Sequence, residues 1–213
     1  MSVVDELLRQ YGRTYAEDAG IRLTERPGPL YQLLVLSTVL SARISADIAV
    51  AAARELNAAG CSSPRGMLEA SWQDRVDALG RAHYRRYDER TATMLGDGAD
   101  LLVTRYRGDL RRLRDAAGGD AGQIADLLTE FPGIGPAGAS IFLREVQEAW
   151  PSVCPYVDTR MLEGARRVGL PDRRDALAPV VAGSPHPASL AAALVRVCFS
   201  HRSAGEIMSA AQH

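Results

Sequence analysis

The chain has no lysine: all 25 of its Lys+Arg residues are arginine. A guanidinium does not give up its proton near neutrality, so chemistry that needs a side-chain amine, Schiff-base formation above all, is excluded. Only the N-terminal amine is left for it. Codon usage in a GC-rich genome would also produce this preference, and the chemical exclusion holds either way. Cysteine is scarce. Cys61, Cys154 and Cys198 lie far apart, with no CxxC pair and no zinc or iron–sulfur spacing. Their odd count argues against a secreted disulfide scaffold. Long apolar runs are missing. Leu33–Ala42 is too short to span a membrane and reads as a buried helix. Met1 to Arg9 carries Asp5 and Glu6 and does not read as a signal peptide. Excess positive charge is missing as well: the formal net charge is −1 and the sequence pI about 6.4. That disfavours a protein holding nucleic acid by a strongly basic surface, but not one that grips phosphates with backbone amides and a few local arginines.

What is present is helix. At 213 residues the chain can bury one substantial core, or two small ones that share a cleft. Alanine is abundant and aromatics are only 6%, a composition that favours helices. Leu7, Leu8, Tyr11 and Tyr15 form a spaced apolar stripe, which Arg26-Pro27-Gly28-Pro29 breaks. Further helices are expected over Leu30–Ala42, Ser45–Ala59 (ending on Gly60), a short piece from Ser63-Pro64, Trp72–Leu79 (ending on Gly80) and Arg86–Arg105. Ala121–Glu130, Pro136–Trp150, Thr159–Val168, Arg174–Val181 and Pro187–Arg202 follow. No alternating strand pattern and no internal repeat is present, so the expected class is all-α.

Between two of these helices stands Phe131-Pro132-Gly133-Ile134-Gly135-Pro136-Ala137-Gly138. The glycines permit torsions that a Cβ would block and leave no side chain between backbone and ligand. Ile134 can tuck into the core, and Pro136 suits a first helical position. The amides of Gly135, Ala137 and Gly138 would then face an anionic oxygen at a helix N-terminus, where the dipole adds about 0.3–1 kcal/mol. A plain helix–turn–helix corner is the bland alternative. Downstream, Asp158 follows Pro155-Tyr156-Val157 and precedes a helix, which it can cap.

Taken together, Phe131–Ala139 and Val157-Asp158-Thr159 resemble the helix-hairpin-helix motif and the catalytic-aspartate segment of the endonuclease III-type DNA glycosylase superfamily. Leu36–Arg43 resembles that family's Leu-Leu-Ser-Ala-Gln helix, and Leu79-Gly80 followed by Tyr84 resembles its next DNA-facing loop. The resemblance runs over roughly residues 28–170. It implies two helical subdomains flanking a cleft: residues 25–150 as a helical barrel ending in the hairpin, and residues 1–24 plus 151–213 as the lobe that carries Asp158. It implies DNA contact by Gly133, Ile134, Gly135, Pro136, Ala137 and Gly138, with Arg43 in the place of a gap-filling glutamine. His83 and Tyr84 would wedge from the other side, the alternative being a loop packed on its own domain, and Arg85 would follow the phosphates, the alternative being a solvated helix face. Asp158 would face the sugar of an extruded nucleotide, and Tyr156 and Arg160 would line the base pocket.

Ala137 occupies the position where bifunctional relatives carry their Schiff-base lysine, so the resemblance implies a monofunctional glycosylase acting on double-stranded DNA with a damaged or mismatched base. The family's four-cysteine loop has no counterpart after Cys198, so no iron–sulfur cluster, and no other cofactor or metal, is expected. A cytoplasmic, nucleoid-associated monomer without a membrane partner is expected. Two rivals stand beside this reading: a helix-hairpin-helix DNA-binding protein without chemistry, and a helical interaction module. The histidines at 83, 186, 201 and 213 show no paired metal spacing.

Overall fold

The structure is a computed structural model and describes residues 2–200. It is all-α, and no strand occurs among the described residues. The chain divides into two compact units: a larger one, Ala16–Leu143, and a smaller one that joins Met1–Tyr15 to Arg144–His213. The sequence suggested boundaries after residues 24 and 150; by contacts the divisions fall after Tyr15 and, inside a helix, after Leu143.

The smaller unit opens with α1 (Val3–Tyr11), whose capping box pairs the Ser2 hydroxyl and the Asp5 carboxylate with each other's backbone N–H. The one-turn α2 (Tyr15–Asp18) leads into the larger unit. That unit holds α3 (Pro27–Leu40), α4 (Ala46–Ala58), α5 (Pro64–Glu69), α6 (Trp72–Arg81), α7 (Asp88–Tyr106), α8 (Leu110–Ala116), α9 (Ala121–Thr129) and the first part of α10 (Pro136–Val146). After a 3-10 turn at Pro151–Val153, α11 (Thr159–Arg167), α12 (Arg174–Ala182) and α13 (Pro187–Phe199) complete the smaller unit. No helix among the described residues is long and apolar enough to cross a membrane. The cysteines are free thiols.

In the larger unit α3 packs against α4, α7 and α8. Leu30, Leu33, Leu36 and Val39 on it are wholly buried. The Arg26–Pro29 segment proves to be its start rather than a break: Pro27 occupies the first helical position, where no N–H is needed. Gly80 is likewise no stop. α6 runs through it to Arg81, and the left-handed residue that closes it is His83. α8 escaped the sequence reading because only Leu110 and Leu113 of its seven residues are buried, too short a stripe to register. Arg75 ties α5, α6 and α7 together. Its guanidinium donates to the carbonyls of Met67 (2.8 Å), Ala70 (2.9 Å) and Ala92 (3.0 Å). It occupies the space that Gly96 leaves open, since a Cβ there would stand 2.9 Å from Arg75 Nη2.

In the smaller unit α1, α11 and α12 pack on α13. Leu7, Met161, Ala165, Leu177, Leu190 and Leu194 form its core. α11 and α13 approach to backbone contact at Gly164. A Cβ there would overlap the Leu194 carbonyl oxygen, with Leu194 C at 2.7 Å and Cα at 3.1 Å.

Candidate active site

In the larger unit the glycine turn is fixed from below. Phe131 is buried and stacks on Tyr106 with ring centroids 6.4 Å apart. Gly133 takes a left-handed φ of 85° and presses on α3 and α7. A Cβ on it would lie 3.1 Å from both Met94 Sδ and Thr38 Cγ2. Ile134 is buried, and its N–H donates to Phe131 O at 3.0 Å. The expectation of direct DNA contact by Ile134 is therefore corrected: its side chain is core and its amide is spent within the turn, so it anchors.

Gly135 differs from Gly133. A Cβ on it meets nothing within 4 Å. Gly135, Pro136 and Ala137 are exposed, while Gly138 is buried. Ala139 N–H donates back to Gly135 O at 3.0 Å and so opens the ladder of α10. The N–H groups of Gly135, Ala137 and Gly138 have no protein acceptor among the described residues. These are orphan donors at the positive end of a helix, and those of the exposed Gly135 and Ala137 are open to an anion. Gly138 sits where a Cβ would collide with Ser41 Oγ, which itself donates to Ser37 O at 2.6 Å. The α3–α4 loop, with Arg43 in it, is thus packed directly against the turn. Arg43 is exposed and has no ion pair among the described residues.

Residues 79–87 show a second feature. His83 N–H donates to Gly80 O and Tyr84 N–H to Leu79 O, both at 3.0 Å. This double closure of a helix end normally places glycine where His83 stands, because its φ is 61°. A side chain in that conformation costs about 1 kcal/mol, and the imidazole is exposed. Tyr84 corrects the expectation of a wedge: it is fully buried, its hydroxyl donates to Val39 O at 3.4 Å, and burial pushes its phenol above the usual range. The apolar ring cannot be offered to DNA without unpacking the core. Arg85 is exposed and unpaired among the described residues. Arg81 is taken up by Glu55 at 2.7 Å, and Arg86 lies over the Tyr87 ring, 5.3 Å from its centroid.

In the smaller unit Asp158 caps α11, its Oδ1 accepting from Met161 N–H at 3.0 Å. Its other oxygen, Oδ2, pairs with Arg144 Nη1. Both side chains are largely buried, 12% and 10% exposed. Gln147 completes the group: its Oε1 accepts from Tyr156 N–H at 2.7 Å and its Nε2 donates to Arg144 O at 3.2 Å. Sequence reading missed Arg144 and Gln147. The signal available was Arg144-Glu145 standing inside the otherwise apolar run Ile141–Val146, where two adjacent charges mark a polar buried face.

Tyr156 is half-buried. Arg160 is engaged on its own helix, donating to Glu163 at 2.8 Å, with its guanidinium 5.3 Å from the Phe199 ring centroid. The Cys198 thiol and the Arg160 guanidinium together hold Glu163 below the usual carboxylate range. Among the described residues no three His, Cys, Asp or Glu side chains come together as a metal site. The histidines at 201 and 213 lie outside the described residues.

The protein is similar to a solved structure of a trapped endonuclease III–DNA covalent intermediate, an estranged-adenine complex. The TM-score is 0.53 at 16% sequence identity, over 94% of this chain and 86% of the other. The likeness shows an endonuclease III-like, all-α fold. No protein-family model and no curated protein matches the sequence.

Proposed function

We propose that this protein is a monofunctional DNA glycosylase of base excision repair. The observation that carries the reading is a turn of exposed, unpaired amides at Gly135 and Ala137 in a fold similar to one solved on DNA. In this reading the amides hold a backbone phosphate, Arg43, His83 and Arg85 meet the duplex, and Tyr156 lines the base pocket. Arg160 stays with Glu163. A target base must leave the stack before its glycosidic bond can be reached.

Asp158 does the chemistry. As the N-glycosidic bond breaks, its electron pair leaves with the base and C1′ becomes cationic, as in glycoside hydrolysis. A carboxylate about 4 Å away at an effective dielectric of ~20 contributes up to roughly 4 kcal/mol, about a thousandfold in rate. Asp158 also takes a proton from the attacking water, whose oxygen bonds C1′ and leaves an abasic site. With Ala137 at the position of the lysine and no lysine anywhere, no Schiff base forms and the strand is not cut. The partner is double-stranded DNA bearing a damaged or mismatched base. The protein acts as a monomer without an iron–sulfur cluster, and its preparation is colourless. Alkylated purines, deaminated pyrimidines, oxidised pyrimidines and mismatched bases are the candidate substrates.

A panel of lesion duplexes tests this. Mass spectrometry should find one free base released, the strand should stay intact until alkali is added, and borohydride should trap no covalent complex. Efficient strand cutting with borohydride trapping overturns the monofunctional reading.

Gly135 gives a cleaner handle on DNA binding than Gly133, because an added side chain there displaces nothing. Gly135→Asp puts a favoured cap before Pro136 and changes stability by only a few tenths of a kcal/mol. The same carboxylate repels a phosphate, so duplex affinity should fall at least tenfold at unchanged melting temperature. Fluorescence anisotropy at constant salt reads the first and circular dichroism the second. Unchanged affinity would remove the turn from the DNA interface.

One observation favours a second reading, a DNA-binding protein without chemistry. Both Asp158 oxygens are already engaged, one by Met161 N–H and one by Arg144. Salt-dependent duplex binding with no base released across the panel would select it. An interaction module of unrelated function would show no salt-dependent DNA binding at all.

A further inference from the structure

We propose that Arg144 is the positioning residue for Asp158 and that Gln147 braces the same segment; this inference rests on the glycosylase reading above. Without them Asp158 would keep a rotational freedom. As a cap, the carboxylate is tied by a single hydrogen bond from Oδ1 to Met161 N–H. One tie leaves the second oxygen free to swing about the Cβ–Cγ bond. Arg144 removes that freedom by pairing with Oδ2. Gln147 then fixes the backbone two residues upstream, at Tyr156 N, and its amide holds the carbonyl of Arg144. Residues 144, 147, 156, 158 and 161 are thereby joined in one connected network. Its polar members are buried: Arg144 is 8% exposed, Gln147 1% and Asp158 9%.

Burying two opposite charges is costly unless geometry and further hydrogen bonds repay it. Here the carboxylate has both oxygens satisfied and the guanidinium side is braced through its own backbone. A group that must stabilise charge on a passing sugar gains most from being held in place before the substrate arrives, because misplacement by about 1 Å costs on the order of a hundredfold. Arg144 supplies that fixity without itself touching the sugar. Its positive charge also leaves the pair with no net charge, so the site has no general attraction for a cation. Only a charge that forms close to the carboxylate, nearer to it than to the guanidinium, is stabilised.

The test uses the full chain and the lesion duplex that the panel identifies. Arg144→Ala should lower the single-turnover rate of base release by ten- to a hundredfold, with duplex affinity unchanged. Adding guanidinium chloride at about 20–50 mM, against sodium chloride at the same ionic strength, should restore part of the rate in Arg144→Ala and none in Asp158→Asn. A merely structural pair would not give a rate loss reversed by a small cation, so loss without rescue overturns the proposal, as does a wild-type rate in Arg144→Ala. Should Arg144→Ala fail to fold, Arg144→Lys carries the test. Its ammonium keeps the charge but not the planar fork, and at least a tenfold rate loss with unchanged affinity is expected; a wild-type rate overturns the proposal. No base released by the wild-type protein across the panel overturns the glycosylase reading itself, and a wild-type rate in Asp158→Asn removes Asp158 from the chemistry; both results are independent of any Arg144 variant.

Discussion

Asp158→Asn is expected to lower base release by up to about a thousandfold while duplex binding persists. Asparagine keeps the shape, and its amide oxygen can still accept from Met161 N–H, since Asn caps helices as well as Asp does. What is lost is the charge. The guanidinium of Arg144 opposes that charge, which makes a thousandfold the upper figure. The substitution also strips Arg144 of its partner in a site only about a tenth exposed. Breaking a buried pair from one side costs about 3–5 kcal/mol, and the residual exposure here puts this case at the lower end. Circular dichroism should therefore find a reduced melting temperature, and anisotropy and base release should be measured below it. A folded variant that binds duplex and releases base at the wild-type rate removes Asp158 from the chemistry.

Gly164→Ala should be the most destabilising single methyl group in the chain. The new carbon would overlap the Leu194 carbonyl oxygen and stand 2.7 Å from the carbonyl carbon, and both belong to backbone that no rotamer change can move. α11 would have to back away from α13 and open the core around Met161, Ala165 and Leu190. Overpacking of this kind costs about 3 kcal/mol, or about 6–12 °C in melting temperature for a chain of this size. Calorimetry of the purified variant checks it. A shift under 2 °C would mean that the crossing of the two helices yields.

The parts of this structure that were readable in advance are those governed by local rules. Pro136 at a helix start, Ile134 as an anchor between two glycines, Ser45, Ser63 and Asp158 before helices, and Gly60 after one follow from backbone sterics and orphan hydrogen bonds within a few residues. Gly80 misled because glycine is a stop only where the chain turns left-handed, and here the turn is delayed to His83. Tyr84 misled because the wedge was carried over from the family resemblance, which does not say how this side chain packs. Its burial is set by contacts with Val39 and Thr91, one of them distant in sequence. Arg144 left a trace as a charge inside an apolar run, but its pairing was out of reach for a related reason: its partner lies 14 residues on, and helix periodicity does not say which neighbour a buried charge will find. The buried Arg144–Asp158 pair is thus one that sequence order hides.

Arg75 carries a consequence for how this lineage can change. Its fork fills the hollow over Gly96 and satisfies three carbonyls at once. Alanine at 96, accepted first, must push the guanidinium aside and so strain its bonds to those oxygens, since the new Cβ would stand 2.9 Å from Nη2. Loss of the arginine first leaves a pit beside the same helix that alanine can then fill. Mutational history at the two sites should therefore have a direction, with position 75 free to change only at a cost and position 96 free only afterwards.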